Sequence, residues 1–177
     1  MEPREPATET AVIVTVPSAE DAVARHRERY DPAAAWGVPA HVTVLYPFVP
    51  PAQVDDRVLE VLRSAVASVP RFRATCRRTG WFAGDVLWLD PQPADPFRAL
   101  TTAVVEAFPG YLPYGGEYDD VVPHLTIAEG AGAKRLREVE SDVIRHLPVA
   151  VTVTEAELWR GTSAAASWEQ VATFPLG

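Results

Sequence analysis

Residues 41–46, His-Val-Thr-Val-Leu-Tyr, and residues 124–127, His-Leu-Thr-Ile, repeat one pattern: histidine, apolar residue, threonine, apolar residue. Side chains on a β-strand alternate between its two faces. Each copy therefore presents an imidazole and a hydroxyl on one face and apolar side chains on the other. We predict two strands that are anchored in a core, one presenting His41 and Thr43 and the other presenting His124 and Thr126.

The composition of the chain is that of a folded domain. Its 177 residues are 47% hydrophobic, which is enough to build a core, and we predict one domain over residues 11–177 after a flexible polar leader, residues 1–10. A single cysteine excludes an intramolecular disulfide and a cysteine-based zinc site. No apolar signal or membrane-spanning run is present, so we expect a cytoplasmic protein with no membrane contact.

The net charge limits the kind of nucleic acid that this protein would bind. A formal charge of -8 argues against a broad surface that coats nucleic acid, because phosphate contacts need an excess of lysine and arginine. One nucleotide, or the end of an RNA, needs only a few donors and stays compatible with this charge.

The order of the predicted elements repeats. Residues 18–90 and residues 95–174 each read as helix, His-x-Thr strand, helix, strand and strand. We predict an α+β fold of two pseudo-symmetric lobes over these ranges, each with an antiparallel sheet and helices, and an active-site cleft between them. The predicted strands are residues 11–16, 39–46, 71–78, 85–90, 121–128, 148–159 and 167–174.

Two histidine–threonine pairs on one cleft suit the cleavage of a phosphodiester without a metal. One imidazole accepts a proton from the nucleophile and the other donates a proton to the leaving oxygen, since histidine has an ordinary pKa of about 6.5. Threonine hydroxyls bind the non-bridging phosphate oxygens. We therefore predict that His41, Thr43, His124 and Thr126 are catalytic.

Other interpretations of the two motifs stay open. Each histidine could be an ordinary half-buried strand residue, and the fold could serve as a non-catalytic module that binds nucleotides or RNA ends. A zinc site needs three or four ligands, and no third histidine or cysteine lies near either motif. We expect no metal and no cofactor.

Two tyrosines are candidates for substrate binding. Tyr46 ends the first motif strand, where it could stack on a base, although strict alternation points it away from His41 and into the core. Tyr114 lies in residues 110–120, a segment that could be a lid over the base or a simple connector. The arginines at positions 71, 73 and 77 alternate along a strand and form either a solvated face or a phosphate-binding face.

At the two motifs the sequence resembles the two-histidine (2H) phosphoesterase superfamily, most closely its bacterial 2′-5′ RNA ligase or RNA 2′,3′-cyclic phosphodiesterase group. The resemblance implies a bilobal, metal-free enzyme that acts on a nucleotide or RNA end carrying a 2′,3′-cyclic phosphate. We expect the protein to be a monomer. The resemblance also implies that His124 acts as the base on water and His41 as the acid on the leaving ribose oxygen. The reverse reaction would form a 2′-5′ linkage.

The chain departs from this family directly after the second motif. RNA-directed members often have an arginine there, whereas this chain has Ala128-Glu129-Gly130. A carboxylate at this place would repel a phosphate. We therefore expect a small cyclic nucleotide, an ADP-ribose cyclic phosphate or a short oligonucleotide rather than a long RNA.

Overall fold

The structure is a computed structural model that describes residues 6–177 and contains two four-stranded antiparallel sheets. The strands are β1 (Glu9–Thr15), β2 (His41–Leu45), β3 (Phe72–Phe82), β4 (Val86–Gln92), β5 (Leu125–Glu129), β6 (Val149–Val153), β7 (Glu155–Gly161) and β8 (Glu169–Pro175). The helices are α1 (Glu20–Tyr30), α2 (Pro32–Ala35), α3 (Asp56–Ala67), α4 (Asp95–Ala107) and α5 (Ala133–Val143). The predicted α+β class with two antiparallel sheets is confirmed.

The two sheets exchange strands between the halves of the chain. The first sheet has the order β2-β1-β7-β8 and the second has the order β5-β4-β3-β6. Strands β3 and β4 follow the first motif strand in sequence but belong to the sheet of the second motif strand. Strands β7 and β8 follow the second motif strand in sequence but belong to the sheet of the first. The lobes therefore differ from the predicted ranges 18–90 and 95–174, because a strand's alternation does not identify its partner strand.

Both motif strands lie at an edge of their sheet and are anchored by buried apolar side chains. Val42 and Val44 on β2, and Leu125 and Ile127 on β5, are at most 2% exposed and belong to the main hydrophobic core. Full burial of such a side chain contributes about 1.5–3 kcal/mol. The predicted anchoring of the two strands is confirmed.

The helices cover the sheets with their apolar faces. Asp55 caps the N-terminus of helix α3, because its side chain accepts a hydrogen bond from the Val58 backbone N–H at 2.8 Å. The helix buries Leu62 and Val66. Helices α4 and α5 bury Leu100 and Leu136 in the same core. Within residues 6–177, no helix has both the length and the apolarity that are needed to span a bilayer.

Several predicted boundaries were wrong in the described part of the chain, among them the end of the third strand, since β3 continues to Phe82 rather than ending at position 78. Glu9 and Thr10 belong to β1 rather than to a flexible leader, and the buried Thr10 hydroxyl donates to the Val49 carbonyl at 2.7 Å; residues 1–5 of that leader lie outside the described residues. Strand β5 begins at Leu125 rather than at position 121. Residues 148–159 form two strands in different sheets, since one apolar run passes from the second sheet to the first.

Candidate active site

The four predicted catalytic side chains line one cavity. This cavity has a volume of about 620 Å³, and His41, Thr43, His124 and Thr126 all face it. Strands β2 and β5 come from different sheets and contact each other at this place. The structure thus brings together two pairs of side chains that are far apart in sequence.

The two imidazoles are held in the same way. His41 Nδ1 donates to the Pro39 carbonyl at 2.8 Å, and His124 Nδ1 donates to the Val122 carbonyl at 2.7 Å. A carbonyl oxygen only accepts, so Nδ1 carries the hydrogen in each neutral ring and Nε2 keeps its lone pair. In both strands the orienting carbonyl lies two residues before the histidine, which gives two equivalent proton acceptors.

The surroundings of the two histidines differ. His124 contacts aromatic rings: its ring centroid lies 4.9 Å from that of Phe82 and 6.1 Å from that of Trp88. Gly80 makes room for the Trp88 indole, because a Cβ at this position would lie 2.3 Å from the ring. His41 instead lies near a buried cation, Arg27.

Both histidines have lowered pKa values. Burial, followed by the charge of Arg27, lowers the pKa of His41 to about 4, and His124 adds a smaller effect in the same direction. Burial also lowers the pKa of His124, and the hydrogen bond to the Val122 carbonyl opposes that shift. Both rings are therefore neutral near pH 7 in the ligand-free site.

Arg27 is a residue of this site that sequence reasoning missed. It is 2% exposed, and it donates to Asp31 Oδ2 at 2.8 Å and to the Val38 carbonyl at 3.2 Å. The next carbonyl along the chain, that of Pro39, orients His41. The available signal was an arginine and an aspartate four positions apart at the end of a helix, a spacing that brings such side chains together.

Tyr114 contacts the first motif strand. Its hydroxyl shares a hydrogen bond with the Thr43 hydroxyl, while burial raises its pKa. Its backbone N–H donates to the Tyr46 carbonyl at 2.6 Å. The φ angle of Tyr114 is +51°, a left-handed conformation that is uncommon for a residue other than glycine. Tyr114 therefore lines the cavity, where it was predicted to bind substrate.

A β-bulge turns Tyr46 towards the cavity. Thr43 pairs with Ile13 and Leu45 pairs with Val12, so β2 contains one extra residue between them. Val44 and Leu45 are both buried, and the alternation resumes out of phase. The expectation that Tyr46 points into the core was wrong for this reason, and the ring faces the same cavity as His41.

Strand β5 contains the same irregularity at the same place. Thr126 pairs with Trp88 and Ala128 pairs with Leu87, so Ile127 is the extra residue, and Ile127 and Ala128 are both buried. The residue that returns to the cavity is Glu129, which is the equivalent of Tyr46, five positions after its histidine. Two adjacent apolar residues after each threonine were the sequence signal for both bulges.

The rest of the cavity wall is aromatic and acidic. Its aromatic residues are Trp36, Tyr46, Phe82, Tyr114, Tyr118, Trp159 and Trp168. Its carboxylates are those of Asp31, Asp120 and Glu129, and no lysine or arginine is among the described residues that line it. In residues 6–177 no group of three or more histidine, cysteine, aspartate or glutamate side chains is arranged to hold a metal ion.

Comparisons with known proteins identify similar sequences and structures. A family model described as "2'-5' RNA ligase superfamily" matches residues 15–164. A Staphylococcus aureus (strain Newman) protein named "Putative phosphoesterase" is 26% identical over 165 residues, which cover 90% of this chain and 93% of that protein.

Solved structures share the fold. E. coli LigT complexed with NADP+ has a TM-score of 0.59 and 17% sequence identity, with 97% of this chain and 99% of LigT covered. The protein TT0787 of Thermus thermophilus has a TM-score of 0.55 and 16% identity, with 94% of this chain and 97% of TT0787 covered. Similarity at this level of identity shows the bilobal architecture.

Proposed function

This chain belongs to the 2′-5′ RNA ligase superfamily, and on that premise we propose that it is a metal-independent phosphodiesterase that hydrolyses 2′,3′-cyclic phosphates of nucleotides. The observation that carries the proposal is the pair of equivalent imidazoles on one cavity, each with Nδ1 bound to a backbone carbonyl. Curated relatives that carry the name phosphoesterase support the same class of reaction.

The proposed reaction needs one proton acceptor and one proton donor. His124 Nε2 accepts a proton from water, and the water oxygen forms a bond to phosphorus. The bond from phosphorus to one ribose oxygen breaks, and protonated His41 donates its Nε2 proton to that oxygen. Thr43 and Thr126 donate hydrogen bonds to the non-bridging oxygens, where negative charge increases. One proton is accepted and one is donated, so the product is a phosphomonoester with a free ribose hydroxyl.

The acid and base roles are carried over from the family resemblance, and the charge of Arg27 opposes the protonation that His41 needs as the acid. A cation beside an imidazole lowers its pKa, which makes the protonated form a stronger acid and the neutral form a weaker base. The influences on the pKa of His124 are burial and the Val122 carbonyl, without such a cation. A bound phosphate anion raises the pKa of both rings, so that substrate binding favours the protonation of His41.

Turnover by the purified protein in excess EDTA tests the proposal. With adenosine 2′,3′-cyclic phosphate as substrate, we expect one phosphomonoester in ³¹P NMR spectra and a rate that EDTA does not change. An added nucleoside with a free 5′-hydroxyl tests the reverse reaction, in which the same groups form a 2′-5′ linkage. Saturable binding without any turnover over hours would overturn the proposal in favour of a nucleotide-binding module.

A further inference from the structure

We propose that this cavity selects substrates whose reacting phosphate is their only anionic group, and whose remaining part includes a flat, uncharged ring. The inference rests on the proposed function for the position of the phosphate between the two motifs. It adds a substrate class: phosphodiesters without a second phosphate, which excludes ADP-ribose cyclic phosphate and 5′-phosphorylated nucleotides.

The first support is an apolar cluster that is separate from the main core. All of its members also line the cavity, on the side of the first sheet, and we call them the aromatic platform: Ala11, Ile13, Ala33, Trp36, Val38, Tyr46, Trp159 and Trp168. Its members Trp36, Tyr46 and Trp159 are only half-buried and line the cavity, so they leave aromatic surface available to a ligand. Flat rings of nucleotides stack on such surfaces.

The indole N–H groups of the platform are already bound within the protein. Trp159 Nε1 donates to Glu157 Oε2 at 2.6 Å, and Trp168 Nε1 donates to the Thr162 carbonyl at 2.8 Å. Trp168 lies directly over Gly161, where a Cβ would lie 2.4 Å from the indole. The buried Trp168 is therefore a fixed support of the platform, and the half-buried Trp159 offers a ligand its ring face rather than a hydrogen-bond donor.

The second support is the charge of the cavity wall. Asp31 and Asp120 are bound by Arg27 and Arg98, so these two arginines are already occupied. The Glu129 side chain is exposed, and its carboxylate makes no hydrogen bond or ion pair to another residue in 6–177. A second phosphate would be repelled by this carboxylate, and the described wall has no cationic side chain to bind it.

Equilibrium binding tests the inference without requiring turnover. We expect isothermal titration calorimetry at low salt to give an affinity for adenosine 3′-monophosphate at least tenfold higher than that for adenosine 3′,5′-bisphosphate. Equal or tighter binding of the bisphosphate would overturn the inference, and so would the absence of measurable monophosphate binding. If the affinities differ as expected but no cyclic phosphate is hydrolysed, only the proposed function fails.

Two substitutions test the two supports separately. Glu129→Lys should reduce the ratio of the two affinities to about threefold or less, whereas Glu106→Lys, the same charge change at an exposed position of α4 outside the cavity, should leave it unchanged. Trp36→Ala should weaken the binding of both nucleotides about tenfold, with the fold checked by circular dichroism. A folded Trp36→Ala protein with undiminished affinity, or equal ratios in the two lysine variants, would contradict the proposal.

Discussion

Strands β2 and β5 are alike where the phosphate would bind and differ where the rest of the substrate would lie. Both orient a histidine through the carbonyl two residues earlier, and both contain a bulge after the threonine. The residue that returns to the cavity is Tyr46 on β2 and Glu129 on β5. A repeated backbone geometry thus places two equivalent histidine–threonine pairs on the cavity, while one position in each repeat makes the cavity asymmetric.

The strands also differ behind the two imidazoles. The buried Arg27–Asp31 pair lies on the β2 side, and the rings of Phe82 and Trp88 lie on the β5 side. The charge of Arg27 adds to burial in lowering the pKa of His41, whereas burial lowers the pKa of His124 without such a cation. This difference distinguishes two residues that make the same local hydrogen bonds.

The largest expected effect tests the symmetric part of the comparison. Replacing either His41 or His124 by alanine should lower kcat by roughly 100- to 10,000-fold, because each removes one proton transfer. Steady-state assays on a cyclic nucleotide measure this loss. His146→Ala, outside the cavity, is the matched control and should keep full activity. Full activity in folded His124→Ala protein would end the two-histidine account.

A smaller effect is expected at the threonines. Thr43→Val and Thr126→Val should each lower kcat, by up to about 100-fold, because a donor to the developing charge on phosphate is lost. The loss should be smaller for Thr43→Val, since the Tyr114 hydroxyl lies beside Thr43 and can donate in its place. Thr43→Val combined with Tyr114→Phe should then equal Thr126→Val; an unchanged double variant would show that Tyr114 plays no such part.

The difference between the two imidazoles can be tested by pH. In the ligand-free protein both should titrate below about 6.5, with His41 lower at about 4. Arg27→Gln removes a cation, so the pKa of His41 should rise while that of His124 stays constant, whereas the exposed Arg25→Gln should change neither. NMR titration of the imidazole Cε1 protons measures both values. An unchanged His41 pKa in folded Arg27→Gln protein would show that Arg27 does not cause the difference between the two imidazoles.

Anion binding should depend on pH with a definite sign. A bound phosphate favours the protonated rings, so the complex carries more protons than the free protein between about pH 5 and 8. Phosphate affinity should therefore increase as the pH falls through this range. Calorimetry in buffers of different ionisation enthalpy measures the proton uptake. Proton release on binding would contradict the assignment of neutral histidines to the free site.

The smallest effect is expected at Tyr46. Tyr46→Leu should raise KM up to about tenfold and leave kcat nearly unchanged, because the ring belongs to the aromatic platform rather than to the phosphate site. Comparison of kcat and KM for the variant and the parent protein measures this. A loss confined to kcat would show instead that Tyr46 takes part in the chemical step.

Alternation along the motifs predicted the faces of His41, Thr43, His124 and Thr126 because these positions precede the bulges. The same rule failed for Tyr46, since it assumes a regular strand, whereas the adjacent apolar residues Val44 and Leu45 lie at a bulge in the pairing with β1. The exchange of β3 and β7 between the sheets was missed because strand pairing is a long-range property. Arg27 was missed because its contact with the site depends on tertiary packing of α1.

The most direct test of the central claim is a titration of protein labelled with ¹⁵N-histidine with a non-hydrolysable phosphate monoanion. The account predicts that the Nε2 resonances of His41 and His124 both shift, with one dissociation constant and a stoichiometry of one phosphate per chain. The resonances of His26 and His146 should not follow them. A shift at only one of the two cavity histidines, or two independent dissociation constants, would show that the imidazoles do not act on the same phosphate.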